Sequence, residues 1–114
     1  MQLSPGKLLG MKRLADQNGI FKMTATDQRP PIKNPIAKHL NRNEAPWGEV
    51  ARFKKMLVEN LQEHSTALLL DPHFAIPYSM NVFNPKKGLV VTLEDSIFLD
   101  TDEGRISKNI DNWS

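Results

Sequence analysis

The longest regular pattern of apolar and polar positions lies within residues 46–64. Val50, Phe53, Leu57 and Leu61 recur there at spacings of three and four. The positions between them are mostly charged or polar: Glu49, Arg52, Lys55, Glu59 and Gln62. Because residues three and four apart share one face of an α-helix, this segment predicts an amphipathic helix with a single buried stripe.

Three shorter segments have the patterns of β-strands. In residues 20–26 apolar and polar side chains alternate, which is typical of a strand with one buried face. Residues 66–70 and 88–93 are almost continuously apolar. Runs of this kind are typical of strands buried on both faces, as in a parallel sheet covered by helices.

Two further helices are predicted. Ser4 can cap a helix over residues 5–17, and Pro5 suits its first position, where the missing N–H costs nothing. Gly19 is suited to the left-handed conformation that ends a helix. A shorter helical segment is expected within residues 73–83, where Pro77 interrupts it.

The remaining stretches are predicted to be loops. Pro30 and Pro31 follow the first strand, and two consecutive prolines are expected to prevent both strand pairing and helix continuation. Residues 31–45 are polar and contain a further proline, so we expect a loop with one short helical turn over residues 36–40. Residues 97–114 are polar and rich in aspartate and are expected to form a loop after the third strand.

The order of these elements is helix, strand, helix, strand, short helix, strand. Buried strands separated by helices indicate a parallel sheet and the α/β class. With 114 residues the chain forms one domain at most. We assign residues 1–19 to the N-terminal helix and residues 20–114 to the strand–helix units and the loop that follows them.

Composition and charge exclude several classes of protein. The chain has no cysteine, which excludes disulfide frameworks and thiolate metal sites. Its 15 basic and 13 acidic side chains are scattered rather than clustered, so we predict no nucleic-acid partner. No apolar run approaches the roughly 18 residues of a membrane-spanning helix. The charged N-terminus does not resemble a signal peptide, so we expect a cytoplasmic protein without a membrane partner.

Each predicted strand is followed by an acidic residue: Asp27, Asp71 and Glu94. In a parallel sheet the carboxyl ends of the strands share one edge, where active sites are built, so these side chains are expected to converge. Acidic residues also cap strand ends and start turns. The turn explanation is favoured for Asp71, which precedes a proline; both explanations stand for Glu94, and a functional role is favoured for Asp27.

The reason for favouring Asp27 is the sequence Asp27-Gln28-Arg29, which places an acid, an amide and a guanidinium together at one strand end. Arg29 offers a planar fork that matches phosphate or carboxylate. Asp27 can orient a hydroxyl or an ammonium group. The three residues are therefore candidate ligand-binding residues.

No metal site is predicted. His39, His64 and His73 are far apart in the sequence. Asp71 and His73 have side chains of metal-binding types but lack a third ligand at a suitable spacing.

Short motifs along the whole chain match one family in collinear order. They are Gly6-Lys7-Leu8, Asn18-Gly19, Ala25-Thr26-Asp27-Gln28-Arg29, Leu69-Leu70-Asp71-Pro72, Gly88-Leu89, Leu93-Glu94, Gly104-Arg105 and Trp113-Ser114. Together they resemble the N-terminal part of the tagatose-bisphosphate aldolases. The Asp-Gln-Arg strand end is the most specific of them, and the related sulfofructose-phosphate aldolases share it. The sequence departs from the family pattern in two turns, at Pro30-Pro31 and at His73-Phe74-Ala75.

The resemblance implies that the three strands open a (β/α)8 TIM barrel, a fold of about 250 residues. It further implies a class I sugar-phosphate aldolase, in which a lysine forms a Schiff base with a ketose carbonyl and the imine accepts electrons from the breaking carbon–carbon bond. The complete enzyme would cleave a ketose bisphosphate to dihydroxyacetone phosphate and glyceraldehyde 3-phosphate. No cofactor is implied.

The resemblance also implies roles for individual residues. Asp27 and Gln28 would contact the sugar-phosphate substrate or the lysine. Arg29 would bind a phosphate or support the structure of the rim. Glu94 would belong to the inner rim, and Asp71 is a possible rim residue. The Schiff-base lysine and a proton-shuttling glutamate would lie past the last residue of this chain, so we expect no aldolase activity from the chain alone.

Two other functions remain open on the sequence. The first is a non-catalytic phosphosugar-binding or regulatory α/β module, in which ligand binding would depend on Arg29. The second is a small nucleic-acid-binding protein, and this possibility is supported only by the isoelectric point of about 9.0. An incomplete barrel also has an open sheet edge, which favours self-association.

Overall fold

The computed structural model describes residues 2–111. The elements are α1 (Pro5–Leu14), β1 (Met23–Ala25), α2 (Pro30–His39), α3 (Trp47–Leu61) with a 3₁₀ turn (Gln62–His64), β2 (Ala67–Leu70), α4 (Ala75–Ser79), β3 (Gly88–Val91), β4 (Glu94–Thr101) and β5 (Gly104–Asn109). Strands β1, β2 and β3 form a parallel sheet in that order, and β4 pairs with β5 as an antiparallel hairpin. The predicted α/β class is confirmed. Within the described residues, no helix combines the length and the apolar character needed to cross a membrane.

The central strand β2 carries the core of the molecule. Leu68 pairs with Thr24 of β1 on one side and with Leu89 of β3 on the other. Leu68 and Leu70 are fully buried and form a cluster with Val58 of α3 and with α4. The two helices therefore cover one face of the sheet. The apolar run of residues 66–70 predicted burial on both faces, but on the other face Ala67 is buried and Leu69 is only partly buried.

Helix α1 begins as predicted and ends three residues early. The Ser4 hydroxyl oxygen accepts a hydrogen bond from the backbone N–H of Lys7 over 3.4 Å. Beyond Leu14, the Asp16 carboxylate accepts hydrogen bonds from the backbone N–H groups of Asn18 and Ile20, over 2.8 and 3.0 Å. This turn, with Gly19 at φ 77°, replaces the last predicted helical turn.

The predicted loop over residues 31–45 is wrong over most of its length, because α2 spans Pro30–His39. The first four N–H groups of a helix have no partner within it, so Pro30 and Pro31 remove no hydrogen bond there. Pro35 removes only the bond that its nitrogen would make one turn back. Ala37 is buried and packs in a cluster with Val50 of α3, which holds α2 in place.

The expected loop over residues 97–114 is also wrong, since β4 and β5 form a hairpin. Thr101 pairs with Gly104, whose φ of 121° suits glycine at the end of the two-residue turn. Phe98 and Ile106 remain 53% and 48% exposed. Among the side chains that the structure describes, neither face of the hairpin is buried, and the sequence accordingly shows no clear alternation there. Residues 112–114, which include Trp113 of the family motif, lie outside the described part of the chain.

The predicted stripe of α3 is correct for Val50 but not for the helix as a whole. Phe53 is 38% exposed and lines a cleft of about 570 Å³ between α2 and α3. The buried positions are Val50, Ala51, Lys54 and Val58. Lys54 thus lies in the core, although a lysine side chain is usually exposed to solvent. Strand β1 is likewise shorter than predicted, with three residues rather than seven.

Candidate functional site

The carboxyl ends of β1, β2 and β3 lie at one edge of the parallel sheet. Pairing continues just past the strands, where the Thr26 N–H donates to the Leu69 oxygen over 2.9 Å and the Thr92 N–H donates to the Leu70 oxygen over 3.0 Å. We call residues 26–29, 71–74 and 92–95 the rim. The Thr92 hydroxyl lies 3.1 Å from Asp27 Oδ2 and donates to it, so the ends of the two outer strands are linked across the rim.

Arg29 is 9% exposed and lies across the rim. Its Nη2 donates to the backbone oxygen of Glu94 over 2.8 Å, and its Nη1 lies 3.7 Å from Asp95 Oδ1. Its Nε is buried and has no hydrogen-bond partner among the described residues. The guanidinium fork is therefore turned toward the β3–β4 junction.

Asp71 at the end of β2 is fully buried. Its Oδ2 accepts hydrogen bonds from the backbone N–H groups of His73 and Phe74, over 3.0 and 2.8 Å. These contacts confirm the favoured explanation that Asp71 forms the turn. Its Oδ1 accepts a hydrogen bond from the ammonium of Lys54, whose side chain is also fully buried, and the two form an ion pair.

Lys54 brings a positive charge beneath the rim from helix α3. Its burial lowers its pKa, while the hydrogen bond and charge of Asp71 and the charge of Asp27 act in the opposite direction. The charge of Arg29 adds to the lowering. Lys54 Nζ also lies 5.8 Å from the centre of the Phe74 ring. Four charged residues thus interact at this edge of the sheet: Asp27, Arg29, Lys54 and Asp71.

Lys54 and Thr92 were missed by sequence reasoning. Lys54 is four residues from both Val50 and Val58, which is the spacing of one helix face, and this spacing was the available signal. The spacing alone does not predict burial, because lysine is rarely buried without a partner and its partner Asp71 is 17 positions away. Thr92 gave no signal within its apolar strand.

Two of the proposed site residues do not enter this cluster through their side chains. The side chains of Gln28 and Glu94 are exposed. Glu94 is the first residue of β4 rather than the end of β3, and it contributes its backbone oxygen to Arg29. The structure therefore brings together Asp27, Arg29 and Asp71, as expected from parallel strand ends, but not all five predicted residues.

An aromatic group borders the rim at the start of α3. The Trp47 ring stacks on Phe74 with centroids 6.4 Å apart and meets Tyr78 edge-on at 6.2 Å. Trp47 Nε1 donates to the backbone oxygen of His73 over 2.9 Å. These contacts hold Trp47 against the turn that Asp71 forms.

The chemistry available at the rim is that of carboxylates and cations. Within residues 2–111, no group of three or more histidine, aspartate or glutamate side chains is arranged to hold a metal ion. Asp27 is partly exposed, whereas Lys54 and Asp71 are sealed. Of the two carboxylates that interact with Lys54, Asp27 is therefore the one that a ligand can reach directly, and the buried pair acts on it from below.

Comparison with known proteins gives a consistent result over the whole chain. No family model matches the sequence. The chain is 28% identical over 114 residues to the tagatose 1,6-diphosphate aldolase of Streptococcus pneumoniae (strain ATCC BAA-255 / R6). It is 29% identical over 114 residues to that of Streptococcus agalactiae serotype V (strain ATCC BAA-611 / 2603 V/R) and 30% identical over 115 aligned positions to that of Staphylococcus haemolyticus (strain JCSC1435).

Each of these matches covers 100% of this chain but 34% of the relative. The chain therefore spans about a third of the length of the curated relatives that it matches. The resemblance carried by the sequence motifs is confirmed: along all of its own length and a third of theirs, the chain is a homologue of the tagatose 1,6-diphosphate aldolases.

Proposed function

We propose that the chain forms the N-terminal helix, the first three strands and the helices between them of a (β/α)8 barrel in a class I sugar-phosphate aldolase. The complete enzyme would form a Schiff base with a ketose bisphosphate and cleave it to dihydroxyacetone phosphate and glyceraldehyde 3-phosphate. The observation that carries this proposal is the match of the entire chain to tagatose 1,6-diphosphate aldolases.

The sheet supports the barrel part of the proposal. Strands β1, β2 and β3 are parallel and adjacent in chain order, as barrel strands are. Among the described residues, β1 and β3 each pair with β2 alone. In a barrel, further strands would cover both free edges, and the rim would be one arc of the ring in which such enzymes build their active sites.

The rim supports specific roles for its residues. Asp27, which is partly exposed, would orient the substrate hydroxyl groups or the imine-forming lysine, and Gln28 would contact substrate beside it. Of the two roles considered for Arg29, its contacts with Glu94 and Asp95 favour support of the rim over direct phosphate binding. Asp71 would act from below, since it is sealed from solvent.

The chain by itself would not catalyse the cleavage. Lys54 is the lysine whose burial lowers its pKa, a property of imine-forming lysines, but it is 0% exposed and no carbonyl carbon can reach it. The family resemblance assigns the Schiff-base lysine and the proton-shuttling glutamate to later strands. The chain would supply the substrate-orienting part of the site.

A chimera tests the proposal. This chain would replace the matching third of the S. pneumoniae tagatose 1,6-diphosphate aldolase, and cleavage of tagatose 1,6-bisphosphate would be measured. We expect activity from the chimera and none from the 114-residue chain. Borohydride reduction in the presence of dihydroxyacetone phosphate should trap an adduct outside the segment contributed by this chain.

The matched control is the same chimera carrying Asp27→Asn, which should keep the melting temperature and lose most of the activity. A folded chimera that forms no adduct and cleaves no substrate would refute the aldolase proposal. If the chain alone then binds sugar phosphate in a manner that Arg29→Ala abolishes, the non-catalytic binding module replaces it.

A further inference from the structure

We propose that Lys54 is a positioning residue of the rim: through Asp71 and its own charge, it holds Asp27 and Arg29 in the arrangement that the site requires. The inference rests on the proposed function for what the rim does. It adds a residue on a helix, away from the strand ends, that no rim motif of the sequence includes.

The burial of Lys54 is the first reason. The other buried side chains of α3 are those of Val50, Ala51 and Val58, so Lys54 occupies a core position among apolar neighbours. Removing an ammonium and a carboxylate from water is costly, and apolar residues of similar volume often stabilise a core equally well or better. Stability of the fold therefore does not by itself explain a charged pair at this position.

The second reason is the position of the Lys54 ammonium group. The ammonium of Lys54 meets the carboxylate of Asp71, and Asp71 also accepts the backbone N–H groups of His73 and Phe74. One side chain from α3 thus fixes the whole turn that follows β2. Because the Phe74 ring also lies 5.8 Å from the ammonium, the turn is held against Lys54 from two directions.

The third reason is the balance of charge beneath the rim. Asp27 and Asp71 contribute two negative charges, and Arg29 and Lys54 contribute two positive charges, and Lys54 interacts with each of the other three. Without Lys54, Asp27 and Asp71 would lose its positive charge, and Arg29, which also pairs with Asp95, would be the remaining cation of the four. Arg29 would then be drawn from Glu94 and Asp95 toward the uncompensated carboxylate of Asp71, and the hydrogen bond between Thr92 and Asp27 would be disturbed.

Nuclear magnetic resonance of the 114-residue chain tests this directly. In Lys54→Met, which keeps the volume and removes the charge, we expect displaced signals for the Asp27 carboxyl carbon and for Arg29 Nε, which is buried and therefore a sensitive reporter. Lys55→Met is the matched control, because Lys55 is on the same helix but pairs with Glu59 at the surface. Changes confined to residues 71–74, or equal changes in both variants, would overturn the proposal.

Because Lys54→Met leaves Asp71 unpaired and can unfold the chain, a second variant is needed. Lys54→Met with Asp71→Asn removes both charges and keeps an acceptor for the turn, so we expect it to fold. Its Asp27 and Arg29 signals should still be displaced. Signals identical to those of the unaltered chain would mean that the pair only fills the core.

The chimera gives the functional readout. There the double variant should lower kcat by about tenfold to 100-fold, as small displacements in a site do, with a melting temperature close to that of the parent chimera. An unchanged kcat would contradict the positioning role. An inactive parent chimera would instead count against the proposed function, while the resonance experiment on the chain would still decide the role of Lys54.

Discussion

Arg29 Nη2 donates a hydrogen bond of 2.8 Å to the backbone oxygen of Glu94, a residue 65 positions later in the chain. This bond ties the end of β1 to the first residue of β4. Beside it, Asp27 accepts the Thr92 hydroxyl. The two contacts join the first and third strands of the sheet at the rim, although β2 lies between them.

Replacing Arg29 with alanine should destabilise the chain by about 1.5–3 kcal/mol, since it removes a buried charged donor from the backbone oxygen of Glu94. Urea unfolding measures this change. Arg105→Ala is the control, because Arg105 pairs with Asp100 on the exposed hairpin and should contribute roughly 0–1 kcal/mol. Equal losses in the two variants would show that Arg29 does not brace the rim.

Gly88→Ala should destabilise the chain by about 1–3 kcal/mol. A Cβ at this position would lie 2.6 Å from Leu14 Cδ2 and 2.9 Å from the Cβ of Ala67, so α1 would have to move away from β3. Thermal unfolding provides the measurement. Gly10→Ala, in α1 with no atom within 4 Å of the added Cβ, should instead stabilise by about 0.5–1 kcal/mol.

Asp16 should make the chain sensitive to acid. Hydrogen bonds from the backbone N–H groups of Ile20 and Asn18 lower its pKa below the ordinary value of 3.8. Its contribution to stability is therefore complete above pH 3.8 and is lost as the pH falls through the lower pKa of the folded chain. Urea unfolding at a series of pH values should show this loss, and Asp16→Ala should flatten it. Parallel profiles for the two chains would contradict the assignment.

Lys54 should also make stability rise with pH, but in the alkaline range. Burial lowers its pKa in the folded chain below the ordinary value of 10.5, so the unfolded chain keeps its proton over a range where the folded chain has lost it. The contribution of Lys54 to the free energy of unfolding should rise as the pH increases through that range toward 10.5. In the double variant Lys54→Met with Asp71→Asn this rise should be absent, and its persistence there would assign it to another group.

The free edges of the sheet should cause self-association. Within the part of the chain that the structure describes, β1 and β3 each pair with β2 alone, and Leu89 of β3 is 40% exposed. Sedimentation velocity at increasing concentration should reveal dimers or larger species, and Leu89→Lys should reduce them, because a lysine on an edge strand opposes pairing. Leu99→Lys on the hairpin is the control. A chain that stays monomeric at high concentration would argue against association through this edge.

Much of the fold was predictable because burial leaves a local mark on the sequence. The continuous apolar runs correctly located β2 and β3, and the cap at Ser4 correctly located the start of α1. The same reasoning fails for α2, because consecutive prolines predict a break although Pro30 and Pro31 fit the first turn of a helix. It fails again at β4 and β5, where neither face of the hairpin is buried among the described side chains.

The candidate site was likewise predictable from the sequence only in part. The order of strands and helices, and hence a parallel sheet with Asp27, Arg29 and Asp71 at one edge, followed from the sequence, because parallel strands place all their carboxyl ends together. The partners of those residues did not. That Arg29 faces Glu94 and Asp95 depends on the path of the chain from β3 into β4. That Lys54 reaches Asp71 across 17 positions depends on how α3 is rotated against the sheet. Rotation is set by the packing of the whole core, and only the tertiary structure decided it.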